Sequence, residues 1–180
     1  MSGASPAGTD PGSVGGPGLL ETGDRTASIL FRRFLRHPIE DVWGAITEPA
    51  QVEIWFMARL TRVDAPGGPL EMEHPNGVRA RGRVLEWHPP RTYEYEWNLP
   101  PGPSQPLGET SIVRWDLAPT EGGTLVVLTH RLLTPPTAAV FSRGLSVFLD
   151  RLSAHLDGTP LPDPPWLAQS RGTEAVGRPR

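Results

Sequence analysis

The chain has 180 residues, a formal net charge of -3 and no cysteine. This length allows one domain with a substantial core, and the lack of cysteine excludes disulfides, thiol catalysis and thiolate metal sites. The basic residues are all arginine and form no stripe of the kind that binds nucleic acid. The N-terminal stretch has no basic segment followed by an apolar run, and no stretch reaches the roughly 18 apolar residues of a membrane span. We therefore expect a cytoplasmic protein with no signal peptide, no membrane span and no nucleic-acid partner.

Both ends of the chain are rich in Gly, Pro and small polar residues. Residues 1–27 contain hardly any apolar side chains, and residues 158–180 are Pro-rich and then polar. Segments of this composition bury too little apolar surface to offset the entropy of ordering them. The sequence predicts disordered tails at 1–27 and 158–180 and a single folded domain at 28–157.

A strand followed by two short helices opens the predicted domain. Residues 28–35 are rich in Ile, Leu and Phe, and Pro38 then suits the first turn of a helix. The apolar positions of this helix recur at i, i+3, i+4 and i+7, namely Ile39, Val42, Trp43 and Ile46. Pro49 opens a second helix, which ends on Trp55 and Phe56. Helices this short are unstable alone, so they must pack on a larger apolar surface.

About six strands follow, separated by turns rich in Gly and Pro. They are predicted at 59–64, 70–73, 78–87, 92–98, 111–117 and 124–132. Alternation is clearest in 92–98, where Tyr93, Tyr95 and Trp97 share one face. Glu94 and Glu96 occupy the other face of this strand, which we expect to face solvent.

Three arginines on one predicted strand, and a single arginine before the first helix, are candidates for binding an anion. Arg79, Arg81 and Arg83 alternate with small and apolar residues, so they share one face of their strand. That face is either solvated or the anion-binding wall of a cavity. Arg33, before the first helix, is either paired beneath the helices or free to bind an anion.

A long amphipathic helix ends the domain. It is predicted from Thr134 to Asp157, and Gly158 suits the left-handed conformation beyond the last turn. Its apolar stripe consists of Phe141, Leu145, Phe148, Leu149, Leu152 and Leu156. Arg151 lies off this stripe. The order of elements predicts an α+β fold in which a curved antiparallel sheet surrounds the long C-terminal helix.

This order, together with several short motifs, resembles the START-like or helix-grip superfamily, also called SRPBCC. Within it, the chain resembles bacterial proteins similar to the C-terminal domain of the activator of the heat shock protein 90 ATPase. The resemblance covers roughly residues 28–157, and the chain departs from it at Thr92 and at Arg143-Gly144-Leu145, where the family often carries Leu and Gly-Trp. The shared motifs are Arg33, Pro38, Val42-Trp43, Ala45, Thr47, Pro49, Trp55-Phe56, Pro66-Gly67-Gly68, Gly82 with Val84-Leu85, Pro89-Pro90-Arg91, Trp97, Gly123-Thr124 and Leu128-Thr129-His130.

Aromatic residues concentrate on the predicted inner faces. Flat rings line apolar pockets and can offer an N–H or O–H to a ligand, although each ring could equally be ordinary core. We predict an apolar cavity between the sheet and the C-terminal helix, lined by Trp43, Trp55, Tyr95, Trp97, Trp115, His130, Phe141 and Leu145. His130 shares strand parity with Val126 and Leu128, so we expect it to point inward. There it is either a hydrogen-bonded structural residue or a group that orients a ligand or moves a proton.

The predicted function is binding of a small hydrophobic or aromatic ligand. The superfamily also includes cyclases and hydrolases of aromatic polyketides, and such an enzyme would use His130 as acid or base with Tyr95 as its helper. The resemblance to the co-chaperone implies instead a protein-interaction module that contacts the chaperone. Residues 1–27, however, are rich in Gly and Pro where the co-chaperone carries a separate chaperone-contacting domain. The scattered histidines predict no metal site, and no catalytic constellation or cofactor motif is present.

Overall fold

The computed structural model describes residues 18–61, 65–102 and 108–165. Within these ranges the chain forms three helices and one eight-stranded antiparallel sheet, which confirms the predicted α+β helix-grip fold. The elements in chain order are β1 (Leu19–Thr22), β2 (Ala27–Leu35), α1 (Ile39–Thr47), α2 (Pro49–Trp55), β3 (Arg59–Leu60), β4 (Pro69–Glu73), β5 (Arg79–His88), β6 (Thr92–Leu99), β7 (Glu109–Thr120), β8 (Gly123–Leu133) and α3 (Pro135–Leu156).

The strands lie side by side in the order β1-β2-β8-β7-β6-β5-β4-β3. Burial alternates along β2, β7 and β8, because successive side chains of a strand point to opposite faces and the inner face packs on the helices. The close packing of the sheet explains two of the shared glycines. A Cβ atom on Gly82 would lie 2.1 Å from the carbonyl oxygen of Glu96, and one on Gly123 would lie 2.1 Å from that of Leu35.

Helix α3 covers the inner face and packs most closely on β2, β1, α1 and α2. Its second half is firmly held, since Phe148, Leu149 and Leu152 are buried. Arg151, which the sequence pattern placed off the apolar stripe, is only 5% exposed. Its guanidinium donates hydrogen bonds to the main-chain carbonyls of Ile54, Trp55 and Pro162. By contrast, no residue of 139–147, which follows the buried Ala138 in α3, is buried.

The predicted tails overlap the structure at both ends. Leu19–Thr22, predicted to be disordered, pair with β2 as an edge strand instead. All four of its side chains are exposed, so no apolar pattern marks it. After α3 the chain lies against the helix, with Pro164 buried. The remaining parts of the predicted tails, and residues 62–64 of the predicted strand 59–64, lie outside the described residues.

The expectation that Glu94 faces solvent is wrong. Glu94 does lie on the outer face of β6, but it is only 6% exposed because one arginine from β7 and one from β8 cover it. Arg131 donates to its two oxygens at 2.8 and 3.2 Å, and Arg114 donates at 3.3 Å. The hydrogen bond from Arg131 lowers the pKa of Glu94 against the opposing effect of burial, and Arg114 acts in the same direction as Arg131. We call Glu94, Arg114 and Arg131 the outer-face network.

The arginines of β5 form a solvated face. Arg79, Arg81 and Arg83 are all exposed, whereas Ala80 and Val84, whose side chains lie on the inner face, are 1% exposed. Arg79 lies 2.7 Å from Glu73, and Arg81 lies 3.5 Å from its own carboxylate partner on β4. Of the two alternatives that the sequence left open for these residues, the structure supports the solvated face.

Candidate functional site

Three aromatic side chains line the inner face of β6 and β7 beneath α3. Tyr95, Trp97 and Trp115 are between 4 and 6% exposed, and the rings of Tyr95 and Trp97 lie 6.5 Å apart. Burial raises the pKa of Tyr95 to about 12, and a hydrogen bond with the Trp115 indole acts in the opposite direction. We call these three residues the aromatic layer.

The end of α2 adds two more rings to this layer. Trp55 meets Trp115 edge to face at 6.3 Å, and its indole N–H donates to the carbonyl of Ala45 at 2.7 Å. Phe56, which the sequence analysis did not place in the lining, lies 6.1 Å from Trp97 and 4.6 Å from Phe148. Its position directly after Trp55 in the apolar cluster of the second helix was the signal that could have identified it.

Buried imidazole and hydroxyl groups extend the layer toward β8. His130 is 2% exposed, and its ring lies 5.5 Å from that of Phe141 on α3. The hydroxyl of Ser111 lies 2.8 Å from the Trp97 carbonyl oxygen and 2.8 Å from His130 Nε2. Ser111 was not among the predicted site residues, because nothing in its local sequence indicates a histidine partner 19 residues away.

The hydrogen-bond geometry assigns the tautomer of His130. A serine hydroxyl carries one proton, and the Ser111 hydroxyl donates it to the Trp97 carbonyl. His130 must therefore donate Nε2–H to the Ser111 oxygen, which leaves the lone pair on Nδ1. Burial lowers the pKa of His130 to about 3, so the ring is neutral at neutral pH.

Two buried polar atoms at this site have no hydrogen-bond partner among the described residues. They are Nδ1 of His130, which can only accept in this tautomer, and Nε1–H of Trp97, which can only donate. Most buried polar groups in proteins are paired, and an unpaired one costs about 1–3 kcal/mol. We call these two atoms the open pair.

The other predicted lining residues lie toward the edges of the site. Trp43 packs on Trp87 at 5.0 Å and on Tyr93 at 6.4 Å, and the rings of Tyr93 and Tyr95 separate it from Trp97. Leu145 is half-buried and packs against the core from α3. The structure therefore brings most of the predicted lining together, with Trp43 at the far end of one row of rings.

Glu109 determines where α3 begins. Its carboxylate is 6% exposed and accepts hydrogen bonds from the main-chain N–H of Thr134 at 2.6 Å and from the hydroxyls of Thr134 and Thr137 at 3.1 and 3.0 Å. A carboxylate is favourable there because helix N-termini carry free N–H groups and positive potential. Glu109 shares the inner face of β7 with Ser111, so a buried negative charge lies beside the site.

Arg33 is on the inner face of β2 and is 9% exposed. Burial lowers its pKa, and the nearby carboxylate of Asp150 on α3 opposes this effect. Its guanidinium also lies 5.3 Å from the ring of Phe31. These contacts favour the paired arginine among the two alternatives for this residue.

Two surface clefts lie elsewhere on the molecule. The first, of about 630 Å³, lies at the junction of β2 and α1 and the turns at 90–91 and 119–123. The second, of about 360 Å³, lies along the edge formed by β3, β4 and β5. Neither cleft is lined by the aromatic layer or the open pair.

The described ranges hold neither a candidate metal site nor a candidate membrane-spanning helix. Among their residues, no group of three His, Asp or Glu side chains could hold a metal ion. No helix in the same ranges is long and apolar enough to cross a membrane.

Comparisons with known proteins show which family this chain resembles. The family model described as Activator of Hsp90 ATPase homolog 1-like protein matches residues 36–157, whereas a comparison with curated proteins gives no match. Protein MLL2253 from Mesorhizobium loti is 28% identical, with 74% of this chain and 99% of that chain covered and a TM-score of 0.67. CalU16 from Micromonospora echinospora is 25% identical, with 83% and 86% covered and a TM-score of 0.63.

A third solved structure shares the fold at lower identity. DynU16, a protein in the dynemicin biosynthetic locus, is 20% identical over 76% of this chain and 49% of that chain, with a TM-score of 0.65. The family model spans more than half of the chain, and the resemblance stated from the motifs is confirmed. The chain therefore belongs to the Activator of Hsp90 ATPase homolog 1-like family, within the SRPBCC proteins.

Proposed function

We propose that the protein binds a small hydrophobic or aromatic ligand between β6–β8 and the first half of α3. The observation that carries this proposal is a contrast in packing. The aromatic layer is almost fully buried, yet the stretch of α3 above it, residues 139–147, contains no buried residue. Few buried contacts mean a low cost of local opening, so residues 139–147 can move aside while the buried residues before and after them, Ala138 and Phe148, stay anchored.

The chemistry of the layer suits such a ligand. Flat aromatic side chains present large apolar surfaces that stack on, or pack edge to face with, a ring or an alkyl chain. Phe141 and Leu145 contribute apolar surface from the helix side. Membership of a helix-grip family also supports this location.

Proton transfer is less well supported than binding. A general base works best when its pKa lies near the working pH. Burial lowers the pKa of His130 to about 3, so its neutral ring is a weak base at neutral pH. Burial also raises the pKa of Tyr95 to about 12, which keeps its hydroxyl protonated. Both groups are therefore suited to holding a ligand by hydrogen bonds.

A thermal-shift screen against fatty acids, flavonoids and polyketide-like aromatic molecules tests the proposal. A ligand that binds only the folded state raises the melting temperature by mass action. We expect at least one compound to do so and to quench the tryptophan fluorescence, since Trp97 and Trp115 lie in the layer.

Two variants of α3 locate the binding. Phe141→Ala removes a ring over the site and should weaken binding about tenfold, the effect of losing about 1.4 kcal/mol of apolar contact. Val140→Ala, at the neighbouring position that is 60% exposed, should leave binding unchanged. If no compound raises the melting temperature, and the chaperone is captured in a pull-down instead, the interaction-module alternative is the better one.

A further inference from the structure

We propose that the ligand is a neutral aromatic molecule with one hydrogen-bond donor, received by His130 Nδ1, and one acceptor, bound by Trp97 Nε1–H. This inference rests on the proposed function and adds the chemical class of the ligand. It comes from the open pair, whose two atoms belong to side chains that are 2% and 6% exposed and have no partner within the described ranges.

The polarity of each position is set by the protein. The Nε2–H of His130 is engaged by the Ser111 hydroxyl, which itself donates to the Trp97 carbonyl, so Nδ1 of the neutral ring can only accept. An indole has no lone pair to offer, so Nε1 of Trp97 can only donate. The ligand must therefore present the opposite polarity at each point.

The surroundings favour a neutral ligand. Phe141 lies against His130, and Phe56 and Tyr95 lie against Trp97, so a charge placed there would lose its hydration. The buried carboxylate of Glu109 on the same face of β7 would repel an anion. This carboxylate accepts three hydrogen bonds from the start of α3, which hold it in place.

The two residues lie on different strands of the sheet. Trp97 is on β6 and His130 is on β8, with β7 between them. Neighbouring strands lie about 4.8 Å apart, so the two strand axes are about 10 Å apart. A flat ring system that carries the donor and the acceptor at opposite ends, such as a hydroxyaryl ketone, can span this separation of the strands.

Four naphthalene probes test this inference by titration of the tryptophan fluorescence. 2-Ethylnaphthalene carries neither polar group, and 2-acetylnaphthalene carries only the acceptor. 6-Ethyl-2-naphthol carries only the hydroxyl, and 6-acetyl-2-naphthol carries both groups. Each group should tighten binding about tenfold, because it pairs a buried atom that otherwise has no partner. We expect 6-acetyl-2-naphthol to bind about 100-fold more tightly than 2-ethylnaphthalene.

Matched variants assign each gain to one atom. Trp97→Phe should remove the gain in affinity from the acetyl group and keep the gain from the hydroxyl. His130→Phe should remove the gain in affinity from the hydroxyl and keep the gain from the acetyl group. Trp87→Phe, which changes a tryptophan that contacts Trp43 and Tyr93 outside the aromatic layer, should keep both gains. If His130→Phe does not fold, Ser111→Ala replaces it, since loss of the partner for Nε2–H frees the tautomer and should reduce the hydroxyl gain.

The outcomes separate the two proposals. If all four probes bind with equal affinity, or if both gains survive in Trp97→Phe and in the His130 or Ser111 variant, this inference is overturned and the proposed function stands. If none of the four probes binds while a compound of the thermal-shift screen does, this inference is overturned and the proposed function stands. If neither the probes nor any compound of the screen binds, both proposals are contradicted.

Discussion

Two buried polar clusters lie on opposite faces of strands β6, β7 and β8, and they differ in how well their atoms are paired. On the outer face, Glu94 accepts hydrogen bonds from Arg114 and Arg131. On the inner face, the open pair of Trp97 and His130 has no partner in the described part of the chain. A buried charge that is paired and hydrogen-bonded can be accommodated by the fold, whereas an unpaired buried atom is a cost. The contrast supports a structural role for the outer cluster and the binding role that we propose for the inner one.

The largest expected effect comes from breaking the outer-face network. Glu94→Ala should lower the free energy of unfolding by about 2 to 3 kcal/mol, because it leaves two arginines without their buried carboxylate. The value is below that of a fully buried pair, since the side chains of Arg114 and Arg131 are 30% and 35% exposed. Glu73→Ala, which breaks an exposed pair with Arg79, should cost less than about 1 kcal/mol. Urea unfolding measures both, and equal losses would contradict the structural role.

The pH dependence of stability tests the burial of His130. The unfolded histidine titrates near 6.5 and the folded one near a pKa of about 3, so between these values the unfolded state holds a proton that the folded state lacks. Stability therefore falls as the pH falls, by about 1.4 kcal/mol per unit. From pH 7 to pH 5, the free energy of unfolding of the wild-type protein should fall by about 2 kcal/mol more than that of His130→Phe. Stability curves that run parallel in chemical denaturation would show that this histidine is protonated in the folded state.

The smallest effect compares two buried indoles. Trp55 is 3% exposed with its N–H bound to Ala45, whereas Trp97 is 6% exposed with its N–H unpaired in the described ranges. Both tryptophan-to-phenylalanine changes remove a similar volume, but only Trp55→Phe breaks a hydrogen bond and leaves a carbonyl unpaired. It should therefore cost about 1 kcal/mol more than Trp97→Phe in urea unfolding. A greater loss in Trp97→Phe would mean that its N–H is paired in solution.

Much of the fold could be predicted because its signals are local. Helix α3 was predicted from Thr134 to Asp157 and is observed at Pro135–Leu156, since an apolar stripe at helical spacing and a following Gly158 are visible in the sequence. The alternation in β6 likewise gave the correct faces for Tyr95 and Glu94.

The rest depends on contacts between residues far apart in the chain. Alternation places Glu94 on the outer face, but its burial comes from Arg131, which lies 37 residues away. Arg151 is buried because its guanidinium donates hydrogen bonds to main-chain carbonyls that lie 96 and 97 residues earlier in the chain. The hydrogen bond between Ser111 and His130 crosses from β7 to β8 and has no local signature. Sequence periodicity thus assigns a face to a side chain, while its partners emerge only from the packed structure.

The most direct test of the ligand site is the indole ¹H–¹⁵N spectrum of the protein during titration with 6-acetyl-2-naphthol. The Trp97 indole proton should move downfield as it gains an acceptor, while that of Trp55, already bound to the Ala45 carbonyl at 2.7 Å, should move far less. Titration with 2-ethylnaphthalene should not give the downfield shift of Trp97. A Trp97 resonance that stays in place, or that moves equally with both probes, would contradict binding at the open pair.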